Sequence, residues 1–239
     1  MIEVLTRIDL GASAGRSPWH RASALAKLGL AVLVVLLAVL APSLRLLVAL
    51  HVLAWALALT SRLPARLVAA AALYPLAFSL LFVIGRWDGS WQTPLAIVLR
   101  PLCASLTAVW LVGTTPYPDL FAPISRLLPR NVADGLFLTY RALFQLLERT
   151  ERLWRALRLR GGATGPARRR LAVAGEGLGT LVLHGFERSQ RLYATMQLRG
   201  HSGRVCGCRH YAAWAREDLL VGVAGLAAAA AAVILWRAG

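Results

Sequence analysis

Lysine is almost missing. Of the 27 basic residues in this 239-residue chain, one is lysine, Lys27, and the others are arginine. Acids are also scarce, at 11 Asp and Glu, and there are only three cysteines. Each shortage excludes something. A phosphate-binding loop of the form G-x-x-x-x-G-K-[ST] needs a lysine whose ammonium, with backbone N–H groups, holds the phosphates. Lys27 stands in Ala24-Leu25-Ala26-Lys27-Leu28, outside any such loop. Nucleotide hydrolysis by that route is therefore excluded, and any ATP-driven step belongs to another polypeptide. No cofactor is expected. No paired carboxylates and no nucleophile–base arrangement support an enzyme acting on lipid phosphates.

The cysteines carry little chemistry. Cys103 lies in an apolar stretch, where a thiol behaves as a small hydrophobe. Cys206 and Cys208 form C-x-C, and with His201 and His210 they read H-x4-C-x-C-x-H. Thiolates and imidazoles in that pattern could bind a soft metal, but the spacing is not a standard zinc spacing. The plain reading is a reduced cytoplasmic loop.

What is abundant is apolar. Hydrophobic residues make up 58% and charged residues 16%, against about 45–50% and about 25% in soluble domains. The mean hydropathy is +0.60. Five apolar runs stand out, at 24–41, 44–60, 67–84, 95–113 and 219–236, each 17–19 residues long. A helix needs roughly 20 residues, with about 17 as the minimum, to cross the hydrocarbon core. The expected fold is all-α, a polytopic membrane bundle of about five transmembrane helices. Residues 1–113 would hold the first four spans, 114–216 a cytoplasmic insertion, and 217–239 the last span. Residues 1–23 do not read as a signal peptide, since no apolar core follows a short basic start.

Arginine sets the expected orientation. Seventeen arginines fall between Thr114 and Arg216, and basic flanks stay in the cytoplasm. The N-terminus, with Arg7, Arg16, Arg21 and Lys27, and the Arg62/Arg66 loop are then also inside. The outer side keeps Arg45, Arg86 and Arg237, with Trp87, Trp91 and Trp236 at its interface as an aromatic belt. The net charge of +16 fits anionic headgroups better than nucleic acid. Lys27, in the first run, is expected to snorkel to the interface. Arg100, inside the fourth run, is expected near the outer end of its helix, snorkelling or facing the bundle. His51 reads as a hydrogen-bonded packing residue of the second span.

The insertion is too apolar for a plain loop. Leu143, Phe144, Leu146, Leu147, Leu153, Trp154 and Leu157 recur at helical spacing, with Arg149, Arg152, Arg155 and Arg158 between them. A second amphipathic helix runs through Leu181, Val182, Phe186, Tyr193 and Met196. The two are related: Glu148–Gly161 reads ERTERLWRALRLRG and Glu187–Gly200 reads ERSQRLYATMQLRG, offset by 39 residues and identical at seven of fourteen positions. An Arg-Gly ending suits a helix C-terminus, with glycine in a left-handed turn and arginine facing the negative end of the dipole. That does not explain two copies of one ending. A pair of docking helices, each offering an arginine fork to a carboxylate on a similar partner, explains both.

Leu111-Val112-Gly113-Thr114-Thr115-Pro116-Tyr117-Pro118-Asp119-Leu120 resembles the T-T-P-[FY]-P-D-L stretch of energy-coupling factor transporter T components, as do Leu138-Thr139-Tyr140-Arg141 and both Arg-Gly endings. The similarity is strongest to the cobalt/nickel branch and covers roughly residues 20–216. In that family two coupling helices each end in Ala-Arg-Gly and dock into a groove on one of two ATPase subunits. The resemblance places those endings at Leu159-Arg160-Gly161 and Leu198-Arg199-Gly200, with leucine in place of alanine. Leu159, Leu198, Glu148, Arg152, Glu187 and Arg191 are expected to support the two coupling helices, and Thr115, Pro116, Pro118 and Asp119 carry the family motif. The family's Asp-Pro-Arg-x-Lys-Leu is represented only by Lys27-Leu28.

The implied protein is a non-catalytic, multi-pass subunit of the cell membrane. It would transmit ATP-driven motion from two ATP-binding cassette subunits to a substrate-binding membrane subunit, most consistently for cobalt or nickel uptake. A T component for a vitamin such as biotin is one alternative. Another is a self-contained metal permease using His51, Arg100 or the Cys206/Cys208 loop.

Overall fold

The computed structural model describes residues 10–15, 17–86, 89–124, 128–162, 164–201 and 215–237. All regular structure among them is helical. After one turn at Pro18–Arg21, eight helices follow: α1 Ala24–Leu40, α2 Leu44–Thr60, α3 Ala65–Gly85, α4 Gln92–Thr114, α5 Tyr117–Ile124, α6 Arg130–Leu159, α7 Ala167–Leu198 and α8 Asp218–Arg237. The chain divides into two compact units, one built on 5–123 and 208–239, the other on 124–207.

In the first unit the apolar runs became α1 to α4 and α8. Local chemistry sets their ends. The Ser23 hydroxyl caps α1 by accepting from the Ala26 N–H at 3.3 Å, and Pro42 follows its end. Beyond α2, Arg62 takes a positive φ of 54° and Pro64 leads into α3. Among the described residues, α3, α4 and Asp218–Leu235 are long and apolar enough to cross a membrane. The helices α1 and α2 have 17 residues each, or about 25 Å at 1.5 Å per residue, a little short of a hydrocarbon core of about 30 Å.

These two short helices supply half of the buried core cluster. α4 packs against α1, α2 and α3, and α8 packs against α1 and α2. Val34 and Ala38 of α1, Ala54 and Ala58 of α2, and Ala228 and Ala232 of α8 are buried in one cluster with Leu46, Leu50, Leu106 and Trp110. Lipid tails are as apolar as leucine, so close packing of small residues holds such a bundle together. The outer faces stay apolar, with Leu73, Leu81, Phe82 and Ile84 of α3 all exposed. Two buried hydroxyls of α4 bond within their own helix: Thr107 Oγ1 donates to the Cys103 carbonyl at 2.8 Å and Thr114 Oγ1 to the Trp110 carbonyl at 2.8 Å. This is what a medium without water demands.

Two polar residues in this unit have tertiary roles. Arg100 donates to the Ala41 carbonyl at 2.9 Å, a cation on the C-terminal end of α1, so it faces the bundle as expected. Lys27 departs from expectation. It does not snorkel: it is 1% exposed, and its Nζ donates to the Thr114 carbonyl at 2.9 Å. The free carbonyl at the negative end of α4 supplies what water would have supplied.

The second unit is an antiparallel pair, α6 and α7. A Cβ on Gly177 would lie 3.1 Å from Leu157 and 3.6 Å from Leu153, and one on Gly185 would lie 3.8 Å from Leu146. Glycine on α7 thus lets the leucines of α6 approach the backbone. Much else on these helices has no cover: Leu171, Leu178, Val182, Leu183, Phe186 and Tyr193 of α7 are all exposed.

Candidate functional site

The repeated sequences end their helices in the same way. At the end of α6 the Gly161 N–H donates to the Arg158 carbonyl at 3.1 Å and the Gly162 N–H to the Leu157 carbonyl at 2.8 Å. At the end of α7 the Gly200 N–H donates to the Gln197 carbonyl at 2.9 Å and the His201 N–H to the Met196 carbonyl at 3.0 Å. Both are Schellman motifs. The glycines have φ of +75° and +73°, a conformation that costs most residues with a Cβ about 1–2 kcal/mol, asparagine being tolerated best. The glycines are therefore explained by backbone geometry alone.

The residues before them are not. Arg160 and Arg199 are the C-cap residues, and Leu159 and Leu198 are each 89% exposed. The left-handed glycine turns the following chain away and leaves a bare Leu-Arg tip on each helix. A large apolar side chain and a cation presented together at a helix end are what a partner's groove with an acidic wall can take up. The antiparallel pairing puts these tips at opposite ends of the hairpin. Leu192, Tyr193 and Met196 of α7 line a cavity of about 320 Å³ with Leu138 and Thr139 of α6, so the α7 tip lies beside the first half of α6.

The other repeated residues serve the helices themselves. Arg152 pairs with Glu148, and Arg191 with Glu187 at 3.1 Å, both at i,i+4 on exposed faces. Such pairs add about 0.2–0.5 kcal/mol each to a helix. Arg155 pairs with Glu151 at 3.0 Å, a pair that α7 lacks because Ala194 takes the arginine's place. In α6 alone the Arg158 guanidinium lies 5.6 Å from the centre of the Trp154 ring, a stacking that the sequence reading did not identify.

The T-T-P-Y-P-D stretch is a joint between helices. Thr115 is extended, with φ −127° and ψ 119°, as the residue before a proline prefers. The Pro116 carbonyl accepts from the Asp119 N–H at 3.0 Å and the Leu120 N–H at 3.1 Å, starting α5. Pro118 occupies the first turn, where its missing N–H costs nothing, and Asp119 brings its negative charge to that positive end. Tyr117 stacks on Phe121 at 6.4 Å.

The remaining candidates stay apart from these features. His51 accepts from the Trp55 indole N–H at 3.0 Å, the packing role expected of it. Among the described residues no group of His, Cys, Asp and Glu could hold a metal ion. His201 is described and serves the α7 cap through its backbone, while Cys206, Cys208 and His210 lie outside the described residues, as do Arg7, Arg16 and Trp87. Residues 15–207 match a family described as CbiQ, cobalt transport protein. No curated protein matches the chain.

Proposed function

The chain belongs to the CbiQ cobalt transport protein family, the transmembrane T components of energy-coupling factor importers, and from that premise we propose that its two helix tips, Leu159-Arg160 and Leu198-Arg199, each engage one of two ATPase subunits in a cobalt importer. T components are non-catalytic, multi-pass proteins of the cell membrane that work with ATPases and a substrate-binding component. ATP hydrolysis lies with the partners.

The observation that carries the proposal is the duplication of one geometry. Each tip has a C-cap arginine, an exposed leucine before it and a glycine with φ near +75° after it. A pure helix stop needs only the glycine. Tips at opposite ends of one hairpin suit a pair of partners that close on ATP: moving both ends turns α6 against α7. The face of α7 bearing Leu178, Val182 and Phe186 would carry the motion onward. The residues of 114–216 are assigned to the cytoplasm. Lys27 near the start of α1, Thr114 at the end of α4 and Asp218 at the start of α8 share one cluster, which favours a single inner side bearing Arg21, Arg62 and Arg66. The same cluster supports an N-terminus inside. Cobalt as the cargo rests on the family description.

Co-expression with the two ATPases and the substrate-binding subunit tests the assignment. The expected outcome is a complex that co-elutes with this chain and hydrolyses ATP. Failure of the ATPases to bind this chain, with all subunits folded, would refute it.

A further inference from the structure

A chain that uses arginine at every other basic position keeps one lysine and buries it. Lys27 is 1% exposed, and its surroundings explain why an ammonium can be there. Its Nζ donates to the carbonyl of Thr114, the last residue of α4, at 2.9 Å. The carboxylates of Asp119, in the first turn of α5, and Asp218, in the first turn of α8, are the charges that act on it. Asp218 is itself tied down. Its Oδ1 accepts from the Ser23 N–H at 2.6 Å and its Oδ2 from the Ala215 N–H at 3.1 Å. Two hydrogen bonds, Lys27 to Thr114 and Ser23 to Asp218, thus tie the start of α1 to the end of α4 and the start of α8. Directly beyond Thr114, the Thr115 hydroxyl is buried without a partner among the described residues, while the Lys27 bond to Thr114 ties the end of α4 to α1.

We propose that Lys27 is the positioning residue of this joint, clamping the end of α4 to α1 and α8 so that the chain leaves the bundle from a fixed point. The proposal rests on the T-component reading. Force on the coupling helices then moves the membrane helices instead of being absorbed where the chain passes through Thr114-Thr115-Pro116. The site requires lysine. An ammonium is compact and aims its donors in any direction, whereas a guanidinium is wider and holds its donors in a fixed planar fork. Lys27 is 1% exposed, so the space at the Thr114 carbonyl fits the compact group. Arginine would keep the charge and lose the geometry.

The test uses the complete importer in proteoliposomes and reads metal uptake per ATP hydrolysed. Lys27→Arg and Lys27→Met should each assemble and hydrolyse ATP while the ratio falls about tenfold, the effect of losing one charge-assisted hydrogen bond. A wild-type ratio for Lys27→Arg would mean that charge alone matters at the inner flank, and would overturn the proposal. Should the single variants not assemble, Lys27→Met/Asp119→Asn removes the ammonium together with one carboxylate whose charge acts on it. Its ratio should still be low, because Thr114 remains unheld, and a normal ratio would overturn the proposal. Loss of assembly in all three variants would assign Lys27 to folding alone and equally overturn it. Absence of ATP-driven uptake by the wild-type complex would strike the functional reading, and this proposal with it.

Discussion

Replacing both Arg160 and Arg199 by alanine should abolish ATPase binding and leave the fold intact, because the two costs differ in size. Among the described residues neither guanidinium is held by an ion pair. Each contributes to its own helix only as a cation near the negative end, about 0.3–1 kcal/mol. Truncating one member of a desolvated charge pair at an interface costs about 2–5 kcal/mol. At about 1.4 kcal/mol per tenfold, each single change should weaken its ATPase contact by a factor of roughly 30 to a few thousand. Lysine should restore only part of this, since it keeps the charge without the planar fork. Arg155→Ala and Arg168→Ala are controls. The first breaks an exposed pair with Glu151, worth no more than about 0.5 kcal/mol, and Arg168 lies outside the repeat. The assay is titrated pull-down of the ATPases by detergent-solubilised chain, with metal uptake and thermal unfolding measured in parallel. If the double variant binds both ATPases as tightly as wild type while a control loses them, the arginines are only helix ends and the docking assignment is wrong.

Gly161→Ala and Gly200→Ala should each destabilise their helix end by about 1–2 kcal/mol through the positive φ, with asparagine at either site recovering much of the loss; equal melting of alanine and glycine forms would contradict the Schellman geometry. Burial, and then the charge of Lys27, push His20 below its ordinary value of 6.5. The unfolded chain therefore takes up this proton first, so the stability tied to neutral His20 is complete above pH 6.5 and declines as pH falls through it. His20→Gln should flatten that limb of a stability-versus-pH curve, and an unchanged limb would refute the assignment. Single cysteines placed at Ser90 or Trp91 in a chain without its native cysteines should react with an impermeant reagent added outside intact cells, and cysteines at Leu159 or Leu198 should not; the reverse pattern would invert the topology.

Much of this architecture is legible in the sequence. Apolar runs at 44–60 and 219–236 became helices Leu44–Thr60 and Asp218–Arg237, since an uninterrupted apolar run of that length has no other way to satisfy its backbone in lipid. The repeat made both amphipathic helices and both glycine stops readable, because a cap is local chemistry. The bond of Lys27 to Thr114 was not readable. It joins residues 87 positions apart, and in sequence the lysine is only a charge near the edge of an apolar run, where snorkelling is the ordinary solution. The contact of α6 with α7 left a trace in Gly175, Gly177 and Gly179, but only the tertiary pairing selects Gly177 as the point of close approach to Leu153 and Leu157. The α5 helix, eight residues with Pro118 and Pro123 inside it, has too short an apolar pattern to be separated from a turn.

The central role proposed for this chain is to convert ATP hydrolysis into import. The most direct measurement is uptake of radiolabelled Co2+ into proteoliposomes holding the substrate-binding subunit, the ATPases and this chain, with each omitted in turn. ATP-dependent accumulation is expected only with all of them present. Without this chain, the ATPases should hydrolyse ATP with no accumulation. Accumulation without this chain, or ATP-independent accumulation by this chain alone, would contradict that role.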